Sequence, residues 1–498
     1  MIAVPTVQDA NSFLFSKKNI LTVRTVASWP IPLTIRSLES EVIMSISRSS
    51  FKVLSVMTIV VLLLKLFNGA RRAEIPMARA PDTKATTRKI ESTVEPPVTK
   101  SNIKKDFKSQ LASYAAYHSV NKTIMILLID SAYMEMVLNF WESSLVKFGI
   151  TNYLFVCTDE KAKTLLPPEA NQCLVAKKNV EGGKLSPFGT IQFNRKVIIK
   201  TELSLDLLHL GYNVIISDAD IVFLQNPMPH LTCTDCDLII QDNTKDKFEA
   251  NSGFYMIKPT KAAMELQKKS IEQSRRSYDN DQNIMNRLLK SMKRTKSIKY
   301  VFLDYKKFLP GFIYFNVNDF PSDYNCSKCV IVHNNYVVGF RIKVYRFKEM
   351  GLWVVDTNGY YTSTDNKYIM YSNPLDSNRN QERAALSLAF KIANSLKRIV
   401  ILPTFNHGRT KSKRCNLLRA MGERYLLRLK EPSYRESAFL RHPKVPTSTK
   451  QSLSPKVDLK KFGDMAAFKK NPDNLIKILT ADETLMSYKI IQFETLII

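Results

Sequence analysis

An apolar run that stops at two carboxylates constrains this chain more than any other stretch of it. Val214, Ile215 and Ile216 lead through Ser217 to Asp218-Ala219-Asp220, and Ile221, Val222, Phe223 and Leu224 then run to Asn226-Pro227. A short continuous apolar run reads as a strand buried on both faces, the kind found in parallel sheets. Alternate side chains of an extended segment share a face, so Asp218 and Asp220 are expected to point the same way and to close on one hard cation. Ligands of open α/β sheets gather outside such carboxyl ends. That setting separates this pair from the many Asp-x-Asp triplets that are solvated turns.

The flanking sequence repeats a strand–helix alternation. Thr123 to Ile129 is apolar and ends at Asp130, Tyr133 to Phe148 has apolar residues at helical spacing before Gly149, and Tyr153-Leu154-Phe155-Val156 is a second strand ending near Thr158-Asp159. Ile191 to Leu210 supplies a helix that leads into the strand of the aspartates. The expected fold is α/β, a mixed and mostly parallel Rossmann-like sheet with helices on both faces. Asp237 to Asp242 and Phe254 to Ile257 read as further strands beside the aspartates, the second antiparallel.

Several side chains near these elements could carry chemistry. Lys196 and Lys200 lie one turn apart on one helix face, where they could meet a phosphate or simply face solvent. Asn251, Ser252 and Gly253 are small enough for a ligand to approach the backbone, or they form an ordinary turn. Asp281 and Gln282 follow Asp279 and Asn280 at a helix start, where capping alone would account for them.

Four stretches in order carry a family resemblance: Phe193 to Lys200 with Gly211-Tyr212, Asn251 to Tyr255, Asp281-Gln282-Asn283, and His333 to Gly339. Over roughly residues 120–355 the chain resembles the nucleotide-diphospho-sugar transferases, the GT-A-fold group that includes plant xylosyl- and arabinosyltransferases. The resemblance implies transfer of a monosaccharide from a nucleoside-diphosphate sugar, UDP-linked, to a glycan or glycoprotein hydroxyl. It implies Mn2+ or Mg2+ on Asp218 and Asp220, with His333 completing the metal shell. It places Asp281 and Gln282 at the acceptor or reacting-sugar pocket as the catalytic pair, and adds Lys343 to Lys196, Lys200, Asn251, Ser252 and Gly253 as substrate contacts. The spacing from His333 to Gly339 departs from the tighter His-Phe-x-Gly of glycogenin-like transferases, so a structural histidine is the competing reading. A transferase-like protein that binds glycans without turnover is the rival of another class.

Ahead of this region, Val53 to Leu64 and on through Lys65 to Phe67 is the strongest apolar run, flanked by Arg48 and Lys52 and by Arg71 and Arg72. It reads as a short signal anchor over 53–69, with Lys65 able to snorkel and a cleaved signal peptide as the rival. The expected organisation is a cytoplasmic tail over 1–52, whose true start is possibly Met44, then the anchor, a disordered stem over 70–110, the transferase domain over 120–355 and a C-terminal region over 356–498. A single-pass type II Golgi protein with a lumenal catalytic domain follows from that order. Asn121-Lys122-Thr123 and Asn325-Cys326-Ser327 are glycosylation acceptors in such a lumen.

The formal charge of +28 raises a nucleic-acid reading, but the basic residues form no Arg-rich stripe and no aromatic stacking motif. No nucleic-acid partner is expected. Seven cysteines include Cys233-x-x-Cys236 and Cys326-x-x-Cys329, which could make a zinc site or, in an oxidising lumen, disulfides. Cys157 with Cys173 is one possible pair, which leaves an odd thiol, Cys415 being one candidate. After Trp353 the pattern restarts with Tyr368 to Tyr371, a helix through Arg383 to Leu396, and Arg398 to Pro403. Around Asn380-Gln381-Glu382-Arg383 it faintly resembles the opening of O-fucosyltransferase-like domains, and it is read as an α/β accessory region. His407 and His442 are read as loop residues rather than ligands.

Overall fold

The computed structural model describes residues 12–13, 23–24 and 100–496, apart from 171–172, 177–181, 245–248, 278, 318–325, 408–409, 455 and 495. Residues 1–95 and 96–498 are separate units. The expected tail, the anchor over 53–69, the stem up to residue 99 and Asn325 lie outside the described residues. No helix among the described residues is long and apolar enough to cross a membrane.

The first described element of the second unit is helix α1 (Lys100–His118), which corrects the expectation of disordered stem up to residue 110. Phe107, Leu111, Tyr114 and Ala115 recur at helical spacing and pack on the first core, so this segment buries enough apolar surface to be ordered.

Seven strands form the main sheet: β1 (Thr123–Ile129), β2 (Tyr153–Cys157), β3 (Cys173–Val175), β4 (Asn213–Ser217), β6 (Leu238–Asp242), β7 (Ala250–Ile257) and β8 (Tyr300–Leu303). They run in the order β8-β6-β7-β4-β1-β2-β3. β4, β1, β2 and β3 are parallel, β8 is parallel to β6, and β7 runs antiparallel between β4 and β6. Alternation divides each strand between two cores. Ile124, Ile126, Leu154, Val214 and Ile216 face helices α4 (Ile191–His209), α5 (Lys261–Arg276) and α6 (Asp281–Arg294), whereas Met125, Leu127, Phe155 and Ile215 face α2 (Met134–Phe140) and its neighbours. The expected mostly parallel sheet with helices on both faces is what the chain builds.

Where β4 ends, β5 (Ile221–Phe223) turns away into a small sheet with β10 (Ile331–His333) and β9 (Phe308–Pro310). β10 pairs antiparallel with β5 and parallel with β9, so His333 lies opposite both Ile221 and Pro310. The carboxyl ends of β9 and β10 therefore open at the end where Asp220 enters β5.

Beyond residue 355 a second sheet is wholly parallel, joining Tyr434–Arg435, Ile399–Ile401, Tyr368–Tyr371 and Ile490–Phe493 in that order. Helix α7 (Phe340–Glu349) binds the two sheets together. Its Ile342 and Tyr345 belong to the core of the second sheet, and its Val344 and Phe347 join Met136, Val222, Trp353, Tyr368 and Phe439 in a cluster drawn from both regions.

The cysteines close as Cys157–Cys173, Cys233–Cys236 and Cys326–Cys329. Each Cys-x-x-Cys pair is thus consumed locally rather than shared in a zinc site. Cys415 is buried outside these disulfides. His442 lies outside helix and strand, as expected, where its ring stacks on Tyr361 at 3.6 Å and its Nε2 lies 2.9 Å from the Trp353 carbonyl. Asn121 is exposed.

Glu349, at the end of α7, is buried and accepts from the Ser437 amide at 3.1 Å and from its hydroxyl. Burial, reinforced by Glu436, pushes its carboxyl from 4.5 up to about 7. The folded state therefore holds a proton that the unfolded chain releases. The stability this group contributes is complete below pH 4.5 and is lost as pH rises through about 7. Glu349→Gln keeps the hydrogen-bonding shape without the charge. Thermal melts across that window should show a flatter pH dependence and, at pH 8, a Tm raised by a few degrees.

Candidate functional site

The two aspartates converge through a turn, not through strand alternation. β4 stops at Ser217, and Asp218 makes a last rung by donating its amide to the Gly253 carbonyl at 2.8 Å. Ala219 and Asp220 form a turn, and the Asp220 carbonyl accepts from the Asn334 amide at 2.8 Å. The turn is thereby suspended between β7 and the segment that follows β10. One ligand atom each from Asp218, Asp220 and His333 lies within 4.8 Å of the others.

Gly253 makes this convergence possible. A Cβ there would stand 2.5 Å from Asp218 Oδ2 and 2.6 Å from His333 Cε1, so any other residue would occupy the space between the ligand atoms. Asn251, Ser252 and Gly253 are not in a loop but inside β7 and buried. Asn251 Oδ1 accepts from the Gly253 amide at 2.8 Å and its Nδ2 donates to Asn243 at 3.2 Å.

His333 is almost fully buried. Its Nδ1 lies 2.8 Å from Gln241 Oε1, and Gln241 Nε2 donates to the Phe308 carbonyl at 3.1 Å. Because that carbonyl takes the amide's donor, the amide oxygen faces the imidazole, which places the proton on Nδ1 and leaves the Nε2 lone pair directed at the acidic pair. Nε2 is 3.4 Å from Asp220 Oδ1. Lys343, on α7, reaches the other oxygen of Asp220 at 2.6 Å. Burial alone would raise the Asp220 carboxyl, but the Lys343 charge beside it outweighs that and holds the group far below the usual carboxylate range.

Neither helix lysine sits on a solvated face. Lys200 Nζ is buried 3.3 Å from Asp218 and 3.2 Å from Asp281, and donates to the Ser252 carbonyl. Burial acts to lower its pKa, and the two carboxylates reverse that and raise it above the ordinary lysine value. Lys196 is buried against Asp130 at 2.6 Å and donates to the Lys184 carbonyl at 2.9 Å. Asp130 also accepts from the Gly183 amide and the Thr158 hydroxyl. Asp281 opens α6, capped by Asn280, and is drawn to the acidic group through Lys200. Gln282 sits farther out, donating to Glu249 at 3.3 Å.

The residues that reading the sequence missed are the ones that hold the ligands. Gln241, Asn243, Asn335 and Arg346 fix His333 and its following segment. Asn335 donates to Asn243 at 2.8 Å, and Arg346 reaches Asn334 and Asn316. A detectable signal existed at Gln241, a polar residue in a strand whose five positions are all buried. A cavity of about 480 Å³ elsewhere, between α1 and β3, shares no residue with this cluster.

A mostly parallel sheet with an Asp-x-Asp turn at the carboxyl end of a central strand puts the acidic group where open α/β sheets bind their ligands. Residues 149–347 match the nucleotide-diphospho-sugar transferase family. A UDP-D-xylose:L-fucose alpha-1,3-D-xylosyltransferase of Arabidopsis thaliana is 27% identical over 276 residues, 49% of this chain and 73% of that protein. A UDP-galactose:fucoside alpha-3-galactosyltransferase of Dictyostelium discoideum is 30% identical over 206 residues, 36% of this chain and 31% of that protein. The solved galactosyltransferase LgtC, with donor and acceptor sugar analogues, aligns with 42% of this chain and 86% of its own at 14% identity and a TM-score of 0.29. The family match over residues 149–347 and the named relatives support a glycosyltransferase of the nucleotide-diphospho-sugar transferase kind.

Two substitutions test the geometry by calorimetric titration with Mn2+. Gly253→Ala should weaken binding about tenfold or more, since its methyl enters the space between the ligand atoms. Gln241→Leu leaves both aspartates in place but frees the His333 imidazole to rotate, and a loss of roughly 10–100-fold is expected, the usual cost of removing such a support.

Proposed function

We propose that this glycosyltransferase moves a monosaccharide from a UDP-linked donor to a glycan or glycoprotein hydroxyl, with one Mn2+ or Mg2+ held by Asp218, Asp220 and His333. The observation that carries the proposal is the convergence of those three ligand atoms around the space Gly253 leaves open. Two carboxylates and one neutral imidazole form a donor set suited to Mn2+. Such a cation, when bound, would neutralise the donor diphosphate and the nucleotide that leaves.

The chain's own residues divide the remaining work. Lys343, a quarter exposed and already beside Asp220, is the cation that meets the diphosphate. Lys200 spaces Asp218 and Asp281 from beneath, and Lys196 holds Asp130 and the segment at Lys184. Their buried ion pairs favour these supporting roles over the direct phosphate contacts first expected of them. Asp281 and Gln282 line the pocket of the reacting sugar, and Asn251, Ser252 and Gly253 let it approach the backbone of β7.

The names of both relatives above specify acceptors built on fucose, and a terminal fucoside is accordingly the acceptor proposed here. The proposed address is the Golgi membrane, single-pass type II with residues 53–69 as anchor and the catalytic region in the lumen. Three disulfides among the described residues favour that oxidising compartment.

The test is a panel of UDP-sugars with and without Mn2+. Release of UDP from one donor should depend on Mn2+, and Asp220→Ala should reduce both hydrolysis and transfer about a hundredfold or more. Undiminished transfer by the variant would remove Asp220 from the site. Glycan binding without turnover of any donor by the folded wild type would favour a binding protein instead.

A further inference from the structure

Two aromatic rings stand in solvent beside the acidic cluster. Phe312 and Tyr336 are 40% and 59% exposed, and their ring centroids are 4.7 Å apart. They emerge from the carboxyl ends of the parallel strands β9 and β10, where Pro310 lies opposite His333, so they leave the small sheet at the end where Asp220 enters it. Val338, 52% exposed, extends the same surface.

This pair is built, not incidental. Tyr336 holds φ +74°, a left-handed conformation that is costly for a bulky side chain. Strain of that kind persists only where the surroundings impose it, and it concentrates at ligand sites. The imposing contacts are visible. Asn335, just before Tyr336, accepts from the Gly311 amide at 2.6 Å and donates to Asn243, and a Cβ on Gly311 would stand 2.4 Å from the Asn335 carbonyl oxygen. The close packing of those two backbones sets Phe312 and Tyr336 side by side. Asn243 also accepts from Asn251, whose side chain holds Gly253, so the rings and the ligand atoms share one framework.

We propose that Phe312 and Tyr336 form the platform for the acceptor sugar and select for a 6-deoxyhexose; this rests on the transferase reading above. A pyranose presents one face of C–H groups that packs on aromatic rings, which are otherwise costly to leave in water. L-Fucose ends in a C6 methyl where L-galactose ends in a hydroxymethyl, and an apolar platform gains from the methyl but cannot satisfy the hydroxyl. The platform's position beside His333 delivers the acceptor hydroxyl to the donor side of the cluster.

Tyr336→Gly removes the ring and relieves the strained backbone, so it should fold at least as well as wild type. Phe312→Ala removes the second ring, and Tyr336→Phe keeps the platform. With the full chain and saturating donor, the acceptor KM for methyl α-L-fucoside should rise about tenfold in each ring-deleting variant. Donor KM and donor hydrolysis should stay within about twofold, Tyr336→Phe should match wild type, and wild type should prefer the fucoside to methyl α-L-galactoside. Unchanged acceptor KM in both ring-deleting variants, or equal use of the two sugars, would overturn the proposal. If wild type turns over no donor, the transferase reading has failed separately. Saturation-transfer NMR with methyl α-L-fucoside then decides the platform: signal lost in Tyr336→Gly supports it, and signal retained or never present refutes it.

Discussion

The grip on the Asp220 carboxylate organises this protein. Taking that charge out of water is costly unless it is fully paired, and its partners come from remote sequence. His333 arrives because β10 pairs with β5, and Lys343 arrives on α7, 123 residues along the chain. Each partner needs its own support. Gln241 sets the imidazole from the main sheet, while Arg346 ties α7 to the segment after His333. The acidic turn is therefore held jointly from the main sheet, the small sheet and helix α7.

That dependence gives the C-terminal region a physical role. Helix α7 shows Lys343 to the acidic cluster and buries Ile342 and Tyr345 in the core of the second sheet. Arg341 donates to the carbonyls of Leu427 and Leu429, and Ser437 grips Glu349 at the other end. The parallel sheet beyond residue 355 thus holds the lysine in place whatever else it does. The helix that starts at Arg379 offers no open N-terminal anion site, because the Asn380 and Gln381 amides are taken by the Asn378 side chain.

Much of the framework was legible because it follows from local rules. Buried parallel strands write themselves as apolar runs, and the Asn280 cap marks the start of α6. The pairing of Asp218, Asp220 and His333 was legible through the resemblance. Other features depend on partners that sequence order conceals. Lys196 and Lys200 could not be told from a solvated helix face until Asp130, Asp218 and Asp281 were placed against them. The aspartates meet in a turn because β5 leaves the main sheet, which alternation along one strand does not reveal. Helix α1 was hidden by the polar, proline-rich residues before it, although Phe107, Leu111, Tyr114 and Ala115 keep a helical stripe.

The central claim is that Asp218, Asp220 and His333 hold one divalent cation that in turn receives the donor diphosphate. Calorimetric titration of the wild-type protein with Mn2+, in the absence and presence of UDP, addresses it most directly. One Mn2+ per chain, bound more tightly when UDP is present and reciprocally tightening UDP, is the predicted result. UDP binding that is indifferent to Mn2+, with no cation taken up in either condition, would contradict it.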